Sequence, residues 1–170
     1  MLGFNTENIE QVCLELAEIQ KFCKNEFGTT DIFSGSKFYE MIIANQLNHE
    51  MIPGQSGTKD GKDHKGEYEY KHFKEQSSNH SWTFNDYTDA TIDSLKKIVS
   101  AIFAHIDTDF TPPKFDWYIE VEGKICSSYL KHKTETLLKT KPKGKVNARK
   151  MINISPNQIE LDLGLKKTYT

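Results

Sequence analysis

Apolar residues recur every three or four positions along two stretches near the N-terminus, which is the pattern of amphipathic helices. The first stretch covers residues 5–27 and is followed by Gly28, a residue that commonly ends a helix. The second begins at Ser34 or Ser36, either of which can cap a helix, and extends to about Glu50. The apolar positions of the first helix are Ile9, Val12, Cys13, Leu16, Ile19, Phe22 and Cys23.

Strand-like patterns begin after this helical region. Polar and apolar residues alternate over residues 67–73, as in a half-buried strand, and residues 81–84 predict a neighbouring strand. A further strand is predicted over residues 115–121, whereas residues 125–130 fit either a strand or the start of a helix. Between these strands, helical spacing predicts a long helix capped by Asp86 or Thr88, with apolar positions at Ile92, Leu95, Ile98, Val99, Ile102, Phe103 and Ile106. This order predicts an α/β (α+β) fold with a central mixed β-sheet flanked by helices.

The composition narrows the class of protein. The 170 residues are 27% charged, with a mean hydropathy of -0.63, which is typical of one soluble globular domain. We see neither an apolar run long enough to span a bilayer nor a secretory signal, so we expect a cytoplasmic protein with no membrane partner. Three widely spaced cysteines, Cys13, Cys23 and Cys126, favour reduced thiols over a disulfide framework.

Positive charge is concentrated in residues 131–150, although the whole chain has a formal net charge of -2. This segment contains eight basic residues and one acid, Glu135. Such a segment is suited to bind an anion, so we expect it to contact phosphates. The leading candidates are Lys141, Lys143, Lys145, Arg149 and Lys150.

The residues with the clearest chemical potential lie in and just before the strand predicted over residues 67–73. Glu69 and Lys71 are two positions apart and therefore share one face of that strand. An aspartate from the preceding turn, Asp63 or Asp60, can lie beside Glu69. Two carboxylates that converge next to a lysine can bind Mg²⁺ together with water and substrate phosphate oxygens.

This arrangement resembles the PD-(D/E)xK nuclease superfamily, which includes type II restriction endonucleases. The resemblance covers residues 36–84, but the proline of the motif is absent. It implies a restriction-endonuclease-like fold in which Asp63 and Glu69 bind Mg²⁺, with Mn²⁺ able to substitute, and Lys71 assists the attacking water. Asp63 is the preferred aspartate and Asp60 the alternative. A helical acid supports the site in this superfamily, and Glu40 is favoured for that role over Glu50.

We therefore expect a single nuclease-like domain over residues 1–170 that hydrolyses double-stranded DNA as a Mg²⁺-dependent, restriction-type endonuclease. Ser81, Thr83 and Asn85 follow the predicted site and are expected to contact phosphates or bases. A homodimer would allow both strands to be cut. The alternatives are a DNA-binding or interaction module that keeps the fold without turnover, and a protein-binding scaffold.

Overall fold

The computed structural model describes residues 6–29, 32–33, 36–52, 59–85, 88–110, 113–140 and 151–170. The helices are α1 (Thr6–Phe27), α2 (Lys37–Leu47), α3 (Asp89–Ser94), α4 (Gly123–Thr140) and α5 (Pro156–Leu163). The strands are β1 (Glu50–Met51), β2 (Gly61–Asp63), β3 (Gly66–Lys74), β4 (Trp82–Phe84), β5 (Ser100–Asp107), β6 (Lys114–Glu122), β7 (Ile152–Ile154) and β8 (Thr168–Tyr169). A 3₁₀ turn, Leu95–Lys97, follows α3.

The main sheet has the strand order β1-β2-β3-β5-β6-β8. Strands β3 and β5 are parallel, and the other neighbouring pairs are antiparallel. A separate antiparallel pair joins β4 to β7. The predicted fold class, an α+β arrangement with a central mixed sheet flanked by helices, is confirmed.

Helices and the small β4–β7 sheet bury the two faces of the main sheet. One core cluster joins Trp82, Phe103 and Leu130, which come from β4, β5 and α4. The other includes Ile43 of α2 and Tyr70 of β3. Because β3 alternates, Tyr68 and Tyr70 enter the second cluster while Glu69 and Lys71 emerge on the opposite face.

The prediction of a long helix after Thr88 is correct for its first turns and wrong beyond them. Thr88 does cap α3, since its hydroxyl oxygen accepts a hydrogen bond from the Thr91 N–H at 3.1 Å. Residues 100–107, however, form β5, which lies between β3 and β6 and is buried on both faces. A strand in that position is apolar at nearly every residue, so part of its sequence also fits a helical period.

The strand predicted over residues 81–84 forms as β4, but it pairs with β7 and not with β3 as predicted. Three other predictions agree with the structure. The predicted N-terminal helix and the strand over residues 67–73 correspond to α1 and β3, and the two options for residues 125–130 resolve to helix α4. Among the described residues, no helix combines the length and apolar character needed to cross a bilayer.

Candidate active site

Asp60, Glu69 and Lys71 meet on the β2–β3 hairpin. The hairpin pairs Gly61 with Tyr68, and extending this register by one residue places Asp60 opposite Glu69. The Asp60 N–H donates to the Tyr68 carbonyl at 2.8 Å, which continues the ladder beyond β2. The Asp60 carboxylate in turn accepts a hydrogen bond from the Tyr70 N–H at 2.7 Å. Two main-chain contacts therefore hold this aspartate beside Glu69.

Gly61 is required for this close approach. A Cβ atom at this position would collide with the hydroxyl of Tyr70. That hydroxyl forms a hydrogen bond of 2.7 Å with Nδ1 of His49, which fixes the tyrosine ring. The glycine next to Asp60 thus lets the ring pack beneath the hairpin.

Two lysines balance the acids of the site. Lys71 Nζ lies 2.5 Å from Glu69 Oε1. Lys37, at the start of α2, lies 2.5 Å from Glu40 Oε2 and 3.9 Å from Asp60 Oδ1. Glu69 and Glu40 are almost fully buried, and buried charges of this kind are tolerated when they are paired. The cluster therefore combines three carboxylates and two ammonium groups.

The pKa of the Asp60 carboxyl group is strongly perturbed. Burial, and then the nearby charges of Glu69 and Glu40, raise the pKa of Asp60 well above its usual range, while Lys71 acts in the opposite direction. A carboxyl group whose pKa is shifted by burial and by specific charged neighbours is typical of functional sites. A divalent cation would relieve the repulsion between these acids.

A cavity of about 370 Å³ opens beside the cluster. It is lined by Ser36, Glu40, Glu69, Tyr70, Lys71, His72, Thr83 and Asn85. Burial lowers the pKa of His72 to about 4, so this ring is neutral at physiological pH. Of the charged cluster, Glu40, Glu69 and Lys71 contribute to this lining.

Asp60, and not the preferred Asp63, lies beside Glu69 in this geometry. Asp63 pairs with Gly66 in the hairpin, and Gly66 is three residues before Glu69. Its Oδ1 atom accepts hydrogen bonds from the main-chain N–H groups of Lys65 and Gly66 at 2.8 and 3.2 Å, and Tyr68 also bonds to its carboxylate. Tyr68 lies on the face of β3 opposite Glu69, so Asp63 stabilises the turn, and Asp60 is the aspartate that reaches the site.

The other predicted site residues fall into three groups. Glu40 lines the cavity, whereas Glu50 is exposed on β1 and pairs with Lys62 at 2.9 Å. Thr83 and Asn85 also line the cavity, but Ser81 does not appear in its lining. The predicted phosphate-binding residues Lys141, Lys143, Lys145, Arg149 and Lys150 lie outside the described residues.

The sequence interpretation missed Lys37. The sequence feature that could have indicated the pair of Lys37 and Glu40 is their spacing, since residues three apart on a helix are neighbours. A lysine and an acid at this spacing usually form an exposed pair, and only the approach of α2 to the hairpin buries this one.

The donor set suits Mg²⁺ in chemical type. No group of three His, Cys, Asp or Glu side chains in the described part of the chain forms a ready-made metal site. Mg²⁺, however, is commonly bound through one or two carboxylates together with waters and substrate phosphates. Asp60 and Glu69 provide two such carboxylates, and their repulsion is part of what raises the pKa of Asp60.

Comparison of the chain with protein-family models and with curated proteins gives no match. Functional inference therefore depends on the site itself.

Proposed function

We propose that this protein is a Mg²⁺-dependent endonuclease that hydrolyses phosphodiester bonds in double-stranded DNA, as restriction-type enzymes do. The observation that carries the proposal is the convergence of Asp60, Glu69 and Lys71 on the β2–β3 hairpin, where Glu69 and Lys71 line a cavity. Two acids and an amine in this order also agree with the resemblance to the PD-(D/E)xK nucleases. Mn²⁺ is expected to substitute for Mg²⁺.

Each side chain has a distinct role in this proposal. Asp60 and Glu69 would hold Mg²⁺, which when bound supplies Lewis-acid stabilisation of charge on the phosphate and a more acidic water. Lys71 orients the attacking water through its ammonium group and stabilises negative charge that develops on the phosphate. Glu40 keeps Lys37 beside Asp60, which limits repulsion among the acids when the site is empty of substrate.

Other parts of the chain would position the DNA. Thr83 and Asn85 line the cavity with a hydroxyl and an amide, groups that commonly hydrogen bond to phosphates and bases. The basic segment of residues 131–150 would bind the DNA backbone, because clustered lysines release counterions from the duplex. We expect this binding to weaken steeply as salt concentration rises.

Plasmid cleavage with and without Mg²⁺ tests the proposal. Glu69→Gln and Lys71→Met should each reduce cleavage by roughly a hundredfold or more, while duplex binding measured by fluorescence anisotropy persists. Glu50→Gln and Lys62→Met are matched controls, because these residues form a solvent-exposed ion pair on the same sheet. Both controls should cleave like the wild type.

Three outcomes would contradict the proposal. Normal cleavage by either site variant would remove the assigned roles. Salt-sensitive DNA binding with no cleavage in Mg²⁺ or Mn²⁺ would indicate a non-catalytic binding module. An absence of DNA binding at low salt would favour a protein-binding scaffold.

A further inference from the structure

The two-stranded ribbon formed by β4 and β7 has a buried face and a polar outer face. Its register pairs Trp82 with Ile154 and Thr83 with Asn153. Trp82 and Ile154 are fully buried, and the Trp82 indole N–H donates to the Ala104 carbonyl at 2.7 Å. Because side chains alternate along a strand, Thr83 and Asn153 lie together on the outer face. The core therefore holds the ribbon in place while these two polar side chains face outward.

The outer face of the ribbon adjoins the candidate active site. Thr83 and Asn85 line the cavity together with Glu69 and Lys71. The Thr83 hydroxyl donates to Oδ1 of Asn153 at 2.9 Å, so Asn153 lies next to the cavity lining on the neighbouring strand. A duplex whose scissile phosphate enters the cavity would bring neighbouring base pairs close to this face. The inference rests on the proposed function for this placement of the DNA.

The chemistry of the outer face suits base edges better than phosphates. Residues 81–85 and 151–155 include no charged side chain, whereas lysine and arginine supply most of the affinity for the DNA backbone. Base edges are instead distinguished by directional donors and acceptors such as amides and hydroxyls. Asn85 and Asn153 are exposed amides, and the Thr83 hydroxyl lies between the cavity and Asn153.

Asn153 can contact a base while it keeps its hydrogen bond to Thr83. An amide oxygen has two lone pairs, and the amide nitrogen has two N–H groups. The bond from Thr83 uses one lone pair of Oδ1, so the same oxygen and the NH₂ group can also contact a base. This pair of groups matches the N6 amino group and the N7 atom of adenine in the major groove. The bond also orients the amide before DNA binds, which lowers the ordering cost of binding.

The size of the ribbon agrees with this mode of binding. Neighbouring strands are about 5 Å apart, and the major groove of DNA, about 12 Å wide, admits a two-stranded ribbon. We propose that the outer face of the β4–β7 ribbon reads bases in the major groove beside the scissile phosphate, and that Asn153 selects adenine there. The sites of binding and cleavage are therefore defined by sequence.

A randomised duplex library tests the proposal with two readouts. Duplexes bound by the full chain in EDTA are sequenced, and the ends cut in Mg²⁺ are sequenced separately. The wild type should favour adenine at a fixed position, and Asn153→Ala should lower that preference roughly tenfold or more. Asn153→Asp keeps an acceptor for Thr83 but loses the NH₂ donor, so it should shift the preference towards cytosine. Both variants should keep the wild-type circular dichroism spectrum, because Asn153 is exposed.

Asn157→Ala is the matched control, because Asn157 is also exposed but lies on α5. It should keep the wild-type preference. Binding or cleavage without sequence preference, or a preference that Asn153→Ala leaves unchanged, would overturn this inference and leave the proposed nuclease standing. An adenine preference in bound duplexes that Asn153→Ala removes, without any cleavage, would support the ribbon as a reader and contradict the nuclease. An absence of duplex binding and of cleavage would overturn both.

Discussion

The pair formed by Lys37 and Glu40 offers a quantitative test of the charge balance in the site. Their charged atoms are 2.5 Å apart, and less than a tenth of either side chain is exposed. Lys37→Met removes the cation and leaves the Glu40 carboxylate buried without its partner. Removal of one member of a buried ion pair costs about 3–5 kcal/mol of folding stability, so we expect a loss in that range.

The two single variants should not be equivalent. Lys37 also lies 3.9 Å from Asp60, so its removal affects two acids. Glu40→Gln instead leaves Lys37 close to Asp60 and should cost less, about 1–2 kcal/mol. The double variant replaces both charges by neutral groups and should be more stable than Lys37→Met alone, which gives a coupling energy of about 2–3 kcal/mol.

Urea unfolding in EDTA, followed by tryptophan fluorescence, measures these differences because Trp82 and Trp117 are both buried. Lys96→Met is a matched control. Lys96 and Asp93 are also 2.5 Å apart and three residues apart on a helical segment, but about half of each side chain is exposed. The loss of folding stability in Lys96→Met should stay below about 1 kcal/mol. Additive effects of Lys37→Met and Glu40→Gln, or a loss for Lys37→Met no larger than this control, would refute the reasoning.

Two further predictions concern Asp60 and the core. Burial, followed by the charges of Glu69 and Glu40, raises the pKa of Asp60 in the folded protein to about 8. The protonated carboxyl group therefore contributes its full stabilisation below the pKa of the unfolded chain, about 4. This stabilisation is lost as pH rises through about 8. Asp60→Asn should therefore gain stability relative to wild type as pH increases over this window. A difference in Tm between the two proteins that stays the same at every pH, measured by thermal unfolding in EDTA, would contradict this. Trp82→Phe removes the buried indole hydrogen bond to the Ala104 carbonyl at 2.7 Å and should cost about 1–3 kcal/mol in urea unfolding, whereas a wild-type midpoint would show that this bond contributes little.

Local patterns in the sequence predict strand β3 and the turn before it, but they do not select the aspartate of the site. The alternation over residues 67–73 places Glu69 and Lys71 on one face of β3, as observed. Asp60 and Asp63 differ by an odd number of residues, so they lie on opposite faces of an extended segment. Which face meets Glu69 depends on the turn at residues 64–65, which sets the register by pairing Asp63 with Gly66.

Burial by distant elements explains what the sequence could not predict. The helical period after Thr88 continues into β5 because β3 and β6 flank that strand while both of its faces are covered. The burial of Lys37, a polar residue, was also not predictable from the local sequence. Its neighbour Glu40 is visible from the sequence, but its proximity to Asp60 requires α2 to approach the hairpin.

The alternation of β3 also explains how a cluster of charges can be held in a fixed arrangement. Tyr68 and Tyr70 are buried in the core on either side of Glu69 along the chain, so the backbone that carries the acid cannot shift without disturbing core packing. The N–H of Tyr70 also donates to Asp60, so one residue supports both the core and the aspartate. Apolar burial on the opposite face of the sheet therefore fixes the geometry that holds Asp60 beside Glu69, and this proximity contributes to the raised pKa of Asp60.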